Sequence, residues 1–355
     1  MNSIGEDRPM PKKGKNKFVR ILKSLELCFR LDNKFSFFEN KLREVEDLER
    51  LNFKRGEEFG GALTSLKSRI DSSESDCNEK LQKIEGILDG LNSRYPVQNI
   101  INMPNVALRS HALKILGLVK PYDVIGGRMV RVGRDFDGGY VMLDNGLRAT
   151  VAYSLGISDD VSWDLDMAER GCDLFQYDHT INRLPRDHVN FHWHKLGIGP
   201  RSASDRELKS LSQVLDDNGH SDRSDLILKM DIEGSEWRTL EEETSETLNK
   251  FSQLVIEFHW LTHLYDPNHL RRFVDTLDKL NLTHRVVHVH ANNYGHVALI
   301  GGVLIPDSLE VTFVRILDND FSESTKTFPT NLDMPCDPNK GDIFLGVLGQ
   351  IAVDL

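Results

Sequence analysis

From Phe18 to Leu31, apolar side chains fall at Phe18, Ile21, Leu22, Leu25 and Cys28, the spacing of one helical stripe. Lys17, Arg20, Lys23 and Arg30 flank that stripe. A basic amphipathic helix of this kind can make a peripheral membrane contact through residues 18–31, although packing on its own chain or on a partner is the commoner use. Further on, Leu63, Ile70, Cys77, Ile84 and Leu91 recur every seven residues, with Leu66, Leu81, Ile87 and Leu88 near the companion positions. The pattern predicts a short coiled coil or αα-hairpin, interrupted at Gly60-Gly61 and across Asp71 to Ser75, and ended by Tyr95-Pro96. A segment without a large core of its own pairs with another helix, so homo-oligomerisation through these N-terminal helices is expected. Residues 1–17, dominated by Gly, Pro and Lys, read as a disordered tail, and residues 18–95 as the helical, coiled-coil-like region.

After Pro104 the pattern changes. Asn105 can cap a helix running to about Val119. A hairpin follows, Arg128 to Val132 with Gly139 to Leu143. Strands and helices then alternate. Thr150 to Leu155, Cys172 to Tyr177, Val189 to His194, Asp225 to Met230 and Leu254 to Phe258 read as strands. A helix near Trp163 to Arg170 follows the first of them. Ser204 and Glu207 make a capping-box pattern before Leu208, Leu211, Val214 and Leu215. Gly234 to Leu248 can be a helix, and Asp266-Pro267 opens another carrying Leu270, Phe273, Leu277 and Leu280. Arg285 to Ala291 and Glu310 to Leu317 close the series as strands with no clear helix between them. The expected fold is α/β: a Rossmann-like, doubly wound, mostly parallel seven-stranded sheet with an antiparallel edge strand. In such a sheet ligands bind beyond the carboxyl ends of the strands.

Composition narrows the partners. The 355 residues are 39% apolar and 28% charged, as in an ordinary soluble protein. A formal net charge of −11 argues against a nucleic-acid partner, which needs a basic surface. No apolar run reaches membrane-spanning length, and the polar, basic start lacks the apolar core of a signal peptide. Cys28, Cys77, Cys172 and Cys336 form no CxxC pair, which suggests neither a zinc site nor a disulfide framework; free thiols in a reducing cytoplasm are expected.

The residues with chemistry follow the strands. Gly156, with Ile157 beside it, ends the first strand, where a glycine lets backbone approach a ligand and a helix N-terminus follows. Asp178 ends the second strand, 22 residues after Gly156. An acid about 20 residues beyond a glycine turn can accept the ribose hydroxyls of a nucleoside cofactor, or can simply cap a turn. Asp231-Ile232-Glu233-Gly234 follows the fourth strand. Its carboxylates can bind a cation, hold an amine, or take a proton from a hydroxyl, and Glu233 can instead cap the next helix. Alternation puts Glu257 and His259 on one face of the fifth strand, and His288 and His290 on one face of the sixth. Paired imidazoles can ligate a metal, though hydrogen-bonded edge histidines are commoner, and no residue is assigned as a metal ligand on spacing alone. Tyr140 lies on the glycine-rich loop Asp137-Gly138-Gly139 and can line a pocket or merely flank a turn.

Read in order, the following runs resemble the FkbM-like S-adenosylmethionine (SAM) dependent methyltransferases and the methyltransferase-like proteins with an Asp-Ile-Glu-Gly core. They are Arg131-Val132-Gly133 with Asp137-Gly138-Gly139-Tyr140-Val141, Tyr153-Ser154-Leu155-Gly156-Ile157, and Phe175-Gln176-Tyr177-Asp178-His179-Thr180. Leu228-Lys229-Met230-Asp231-Ile232-Glu233-Gly234-Ser235-Glu236-Trp237 follows as the most specific run, then Glu257-Phe258-His259, His288-Val289-His290-Ala291-Asn292-Asn293 and Leu309-Glu310-Val311-Thr312-Phe313-Val314-Arg315. The resemblance spans roughly 120–345 and implies a methyltransferase domain over residues 105–355. It implies S-adenosyl-L-methionine as methyl donor and O-methylation of a sugar, glycan or secondary-metabolite hydroxyl. By motif, Gly156 becomes the cofactor turn, Asp178 the ribose acid, and Asp231 and Glu233 the pocket carboxylates; Ile157 beside the turn and Tyr140 on its glycine-rich loop are further cofactor-binding candidates by position. Asp231 or His259 would take the acceptor's proton, and a divalent cation held by Asp231, Glu257, His259 or His290 could lower the hydroxyl pKa. The family's glycine-rich first motif is reduced here to one glycine followed by Ser158-Asp159-Asp160. That leaves a noncatalytic SAM-fold scaffold, oligomerised by the N-terminal helices, as the alternative; a dinucleotide oxidoreductase is disfavoured because GxGxxG is absent.

Overall fold

The chain divides into two compact units, Met1–Pro96 and Val97–Leu355. The computed structural model describes residues 100–348 except 145, 146, 148 and 206. The helical stripe at 18–31 and the heptads at 63–91 lie outside the described residues. In chain order the second unit contains β1 (Ile100–Met103), α1 (Arg109–Leu118), β2 (Tyr122–Val124), β3 (Met129–Val132), β4 (Tyr140–Leu143), β5 (Val151–Leu155) and α2 (Ser162–Glu169). There follow β6 (Asp173–Tyr177), β7 (Phe191–His194), β8 (Gly197–Ile198), β9 (Leu208–Lys209), α3 (Leu211–Asp217), β10 (Leu226–Met230), α4 (Glu236–Glu242) and α5 (Ser245–Leu248). The unit closes with β11 (Phe251–Phe258), α6 (Pro267–Thr283), β12 (His284–Ile300), β13 (Val303–Arg315) and β14 (Phe321–Glu323).

Eight strands form one sheet in the order β1-β12-β13-β11-β10-β5-β6-β7. From β11 outward to β7 every pairing is parallel. The chain runs from β5 outward through β6 and β7, then crosses back to β10 on the other side of β5. The switch point therefore falls between the carboxyl ends of β5 and β10, where a doubly wound sheet opens a crevice.

Alternating residues bury both faces. Tyr153, Leu155, Leu228, Met230, Leu254 and Ile256 pack under α1, α3, α4 and α6. Ala152, Ile227 and Val255 pack against Trp163 and Met167 of α2 and Val132, Tyr140 and Met142 of the β3–β4 hairpin. Asp266 caps α6 through the Asn268 and His269 amides, Pro267 sits at its first turn, and Phe273, Leu277 and Leu280 are buried as the stripe predicts. Each such burial contributes about 1.5–3 kcal/mol. The hairpin lies flat on the sheet because two buried polar side chains satisfy the edge of β4. Gln253 accepts from the Leu143 amide (2.7 Å) and donates to its carbonyl (3.2 Å), and the Thr312 hydroxyl donates to the Val141 carbonyl (2.6 Å).

The structure departs from the sequence expectation in four places. The sheet has eight strands rather than seven, because β1 pairs with the outer half of β12. The antiparallel strand is not at an edge: β13 folds back from β12 and inserts between β12 and β11. The cap before Leu211 is Ser210 with Gln213, not Ser204 with Glu207, since Leu208 is drawn into a short pairing with Gly197. The helix expected over 234–248 is two, α4 and α5, because Glu243 turns extended and Thr244 caps a new start. Among the described residues, no helix is long and apolar enough to cross a membrane.

Candidate active site

Register assembles the site. Leu155 pairs with Tyr177 on one side and Met230 on the other, and Met230 with Ile256. Glu257 then stands opposite Glu310, and Glu310 opposite His290. One residue beyond the paired Tyr177, Leu155, Met230 and Ile256 come Asp178, Gly156, Asp231 and Glu257. Asp178, Gly156, Asp231, Glu257, Glu310 and His290 thus form one row across six strands at the carboxyl ends of β6, β5, β10 and β11.

Gly156 must be glycine. Its φ is +81°, and a Cβ there would lie 1.6 Å from the Asp231 carbonyl oxygen. The turn beyond it is held by Asp178. One oxygen accepts from the Ile157 and Ser158 amides, both at 2.9 Å; the other accepts from the Thr180 amide (2.7 Å) and hydroxyl (2.6 Å). Burial works against the Asp178 charge, but these bonds outweigh it and hold the carboxyl below its usual range. Beneath the turn, the buried Lys229 donates to the Gly156 carbonyl at 2.8 Å; burial raises the Asp164 carboxyl on α2 above its usual range, and the Lys229 charge offsets part of that rise. The start of α2, read as a place for an anion, already has one: Asp160 accepts from the Ser162 amide at 3.2 Å, with Arg134 3.6 Å away.

The other half of the row is less settled. Tyr140 is buried and its hydroxyl donates to Asp231 Oδ2 at 3.2 Å. Asp231 Oδ1 is buried with no hydrogen-bond partner among the described residues, and His259 Nε2 stands 3.9 Å from it. The same Nε2 is 3.5 Å from Glu257 Oε1 and 3.6 Å from Glu233 Oε2. Glu257 is buried, and Asn292 donates to it at 2.7 Å. Burial pushes the Glu257 carboxyl well above the usual range, and the charges of Asp231 and Glu310 push it further. Burial disfavours the His259 cation, but the hydrogen bond to Glu236 and the charges of Glu257, Glu236 and Asp231 lift its pKa to about 10. These neighbours favour its protonated form.

Glu236 holds this half together. It is fully buried and accepts from the Ile232 amide (2.8 Å) and the Gly234 amide (3.0 Å), while His259 Nδ1 lies 3.2 Å away. Glu233 takes a positive φ of 54°, which swings its side chain out to 88% exposure. Gly234 packs face-on to Trp260, where a Cβ would come within 2.4 Å of the ring. The donor atoms of Asp231, Glu257 and His259 lie within 4.8 Å of one another, a set able to hold a metal ion.

Of the residues singled out from sequence, Gly156, Ile157, Asp178, Tyr140, Asp231, Glu233, Glu257 and His259 gather along the row or beside it. His288 does not join them; it pairs with Asp333 at 2.7 Å. Glu236, Glu310 and Lys229 were given no role from sequence. Lys229 inside the apolar run Leu226–Met230, and Glu310 inside Leu309–Val314, are signals that could have found two of them.

A doubly wound sheet with a glycine turn and carboxylates at its switch point is the architecture of a Rossmann-like methyltransferase. The sequence profile of the family described as "Methyltransferase domain" matches residues 120–298, half of the chain, and the chain belongs to that family. The human "Probable methyltransferase-like protein 24" is 31% identical over 120 residues, 30% of this chain and 32% of that protein. Its Rattus norvegicus counterpart is 30% identical over 118 residues, with the same coverage. The match thus spans about a third of the length of these relatives. The solved structure of a "Putative hemolysin from Streptococcus thermophilus" aligns with a TM-score of 0.26 and 12% identity, over 57% of this chain and 74% of that one, a likeness too slight to bear on fold or function.

Proposed function

We propose that this chain is a SAM-dependent O-methyltransferase acting on a hydroxyl of a sugar, glycan or secondary metabolite, as its FkbM-like motifs imply. The observation that carries the reading is the row Asp178–Gly156–Asp231–Glu257 at the switch point of the sheet.

The residues present fit such a donor. The buried Asp231 Oδ1, unpartnered among the described residues, is an open acceptor for the ammonium of its methionine part or for the proton of the acceptor hydroxyl, with Tyr140 holding the other oxygen. Of the four donors on Asp178, only the Thr180 hydroxyl is not backbone, so it is the one a ribose hydroxyl displaces. When bound, SAM supplies an electrophilic methyl on a positively charged sulfur. The chain must hold the acceptor oxygen in line and remove its proton. Asp231 is the better placed acceptor of that proton, because the carboxylates around His259 favour its protonated form. His259, fixed by Glu236, then balances the carboxylates around it.

An aliphatic hydroxyl gives up its proton to a carboxylate reluctantly; a divalent cation on Asp231, Glu257 and His259, displacing the His259 proton, would take the place of that charge and lower the hydroxyl pKa. Glu236 behind His259 Nδ1 is the carboxylate that commonly backs a metal-binding imidazole, leaving Nε2 toward the ion. The test is binding and turnover together. Calorimetry with SAM should show binding that Gly156→Ala removes; no binding to the intact chain sinks the enzyme reading in favour of a scaffold. Exhaustive chelation should stop methyl transfer in a Cys336→Ser background, and full activity there removes the cation from the mechanism.

A further inference from the structure

The last two members of the row belong to a second cluster. Glu310 of β13 and His290 of β12 face each other, with His290 Nδ1 2.9 Å from Glu310 Oε2. Cys336, on the irregular segment 324–348 that follows β14, brings its thiol 3.4 Å from Glu310 Oε1. The His290, Glu310 and Cys336 donor atoms all lie within 4.8 Å of one another, and all three residues are buried. Behind them, Asp342 of the same segment lies 3.1 Å from His290 Nε2. A carboxylate on one imidazole nitrogen fixes the tautomer and turns the other nitrogen toward an ion. Here Nε2 faces Asp342 and Nδ1 faces the Glu310–Cys336 pair.

We propose that His290, Glu310 and Cys336 bind a zinc-class divalent ion, with Asp342 orienting the imidazole. A thiolate, an imidazole and a carboxylate together select zinc or cobalt over magnesium or calcium, which prefer all-oxygen shells. Ion binding displaces the Cys336 thiol proton to solvent, so affinity rises with pH. The ion would fasten segment 324–348 to β12 and β13 beside Glu257. Other ties already run between them, among them His288 to Asp333 and Asn293 accepting from the Asp337 amide at 2.6 Å. Four cysteines with no CxxC spacing concealed the site in the sequence, because its ligands lie on three separate segments.

Cobalt(II) chloride alone, added to the metal-stripped full-length chain, tests this. A thiolate-to-cobalt charge-transfer band should appear, fall on adding zinc, and vanish in Cys336→Ser. The triple variant C28S/C77S/C172S, in which Cys336 is the sole thiol, should keep the band. Asp231→Asn and Glu257→Gln should keep it too, because the other candidate cation set contains no sulfur. Asp342→Asn should weaken zinc binding about 10- to 100-fold. No band in either the intact chain or the triple variant, or a band that survives Cys336→Ser, overturns the site. The readout needs neither SAM nor an acceptor, so it stands or falls apart from methyl transfer.

Discussion

Asp178 and Glu257 stand at the same level of one sheet, on either side of the switch point with β5 and β10 between them, and their surroundings differ sharply. Asp178 receives four hydrogen bonds, three from backbone amides, and its charge is favoured despite burial. Glu257 receives one amide from Asn292, faces the charges of Asp231 and Glu310, and is driven toward its protonated form. Like charges directly opposite on neighbouring strands destabilise a sheet. The first half of the row stabilises the fold by building the glycine turn. The second half is held in tension, and local rules are broken most often where function is. Substitutions should therefore lower stability on the Asp178 side and lower activity on the Asp231 side.

The sharpest way to break the contrast is at the boundary between the halves. Gly156→Ala forces a Cβ against the Asp231 carbonyl at positive φ, and should cost about 3 kcal/mol or more in denaturant unfolding. A near-neutral result would mean that β5 and β10 can part without loss. Asp231→Asn should lower turnover about 100-fold or more while leaving the unfolding midpoint unchanged or raised, because it removes one of the mutually repelling charges. A lowered midpoint with intact turnover would reverse the assignment of this half. Asp178→Asn should instead lower the unfolding midpoint, destabilising by about 1.5–3 kcal/mol, the range for hydrogen bonds to a charged group, alongside weaker SAM binding. Thermal denaturation compared across the two asparagine variants measures the contrast directly.

The smallest expected effect is in acid. A carboxyl held below its ordinary range in the folded chain contributes stability that is complete above the unfolded value and fades as pH falls through the folded one. Acid titration of the intact chain should show this limb, and Asp178→Asn should flatten it. An identical acid limb in both proteins would mean that the charge of Asp178 does not hold the turn.

Much of this was legible beforehand. The apolar runs marked β5, β10 and β11 to within a few residues, because a strand buried on both faces has almost no polar positions, and the aromatic-rich β6 and β7 were marked as closely. Asp266-Pro267 marked the start of α6, since a capping side chain and a fixed φ are local devices. Gly156, Asp178 and Asp231 stood out because each interrupts the chain immediately after such a run. The capping residue of α3 was misplaced because two Ser-x-x-acid/amide patterns compete there, and only the pairing of Leu208 with Gly197 decides between them.

What the sequence determined by itself is the list of strand ends and the residue types on them, because secondary structure follows from periodicity over neighbouring positions. Which of those ends lie side by side, and in which order, was decided only in three dimensions. The insertion of β13 between β11 and β12 brings Glu310 into line with Glu257 and His290, and the return of segment 324–348 carries Cys336 and Asp342 to them. Those contacts join residues separated by 20 to 53 positions along the chain, and no local preference encodes a pairing that exists only after the sheet has closed.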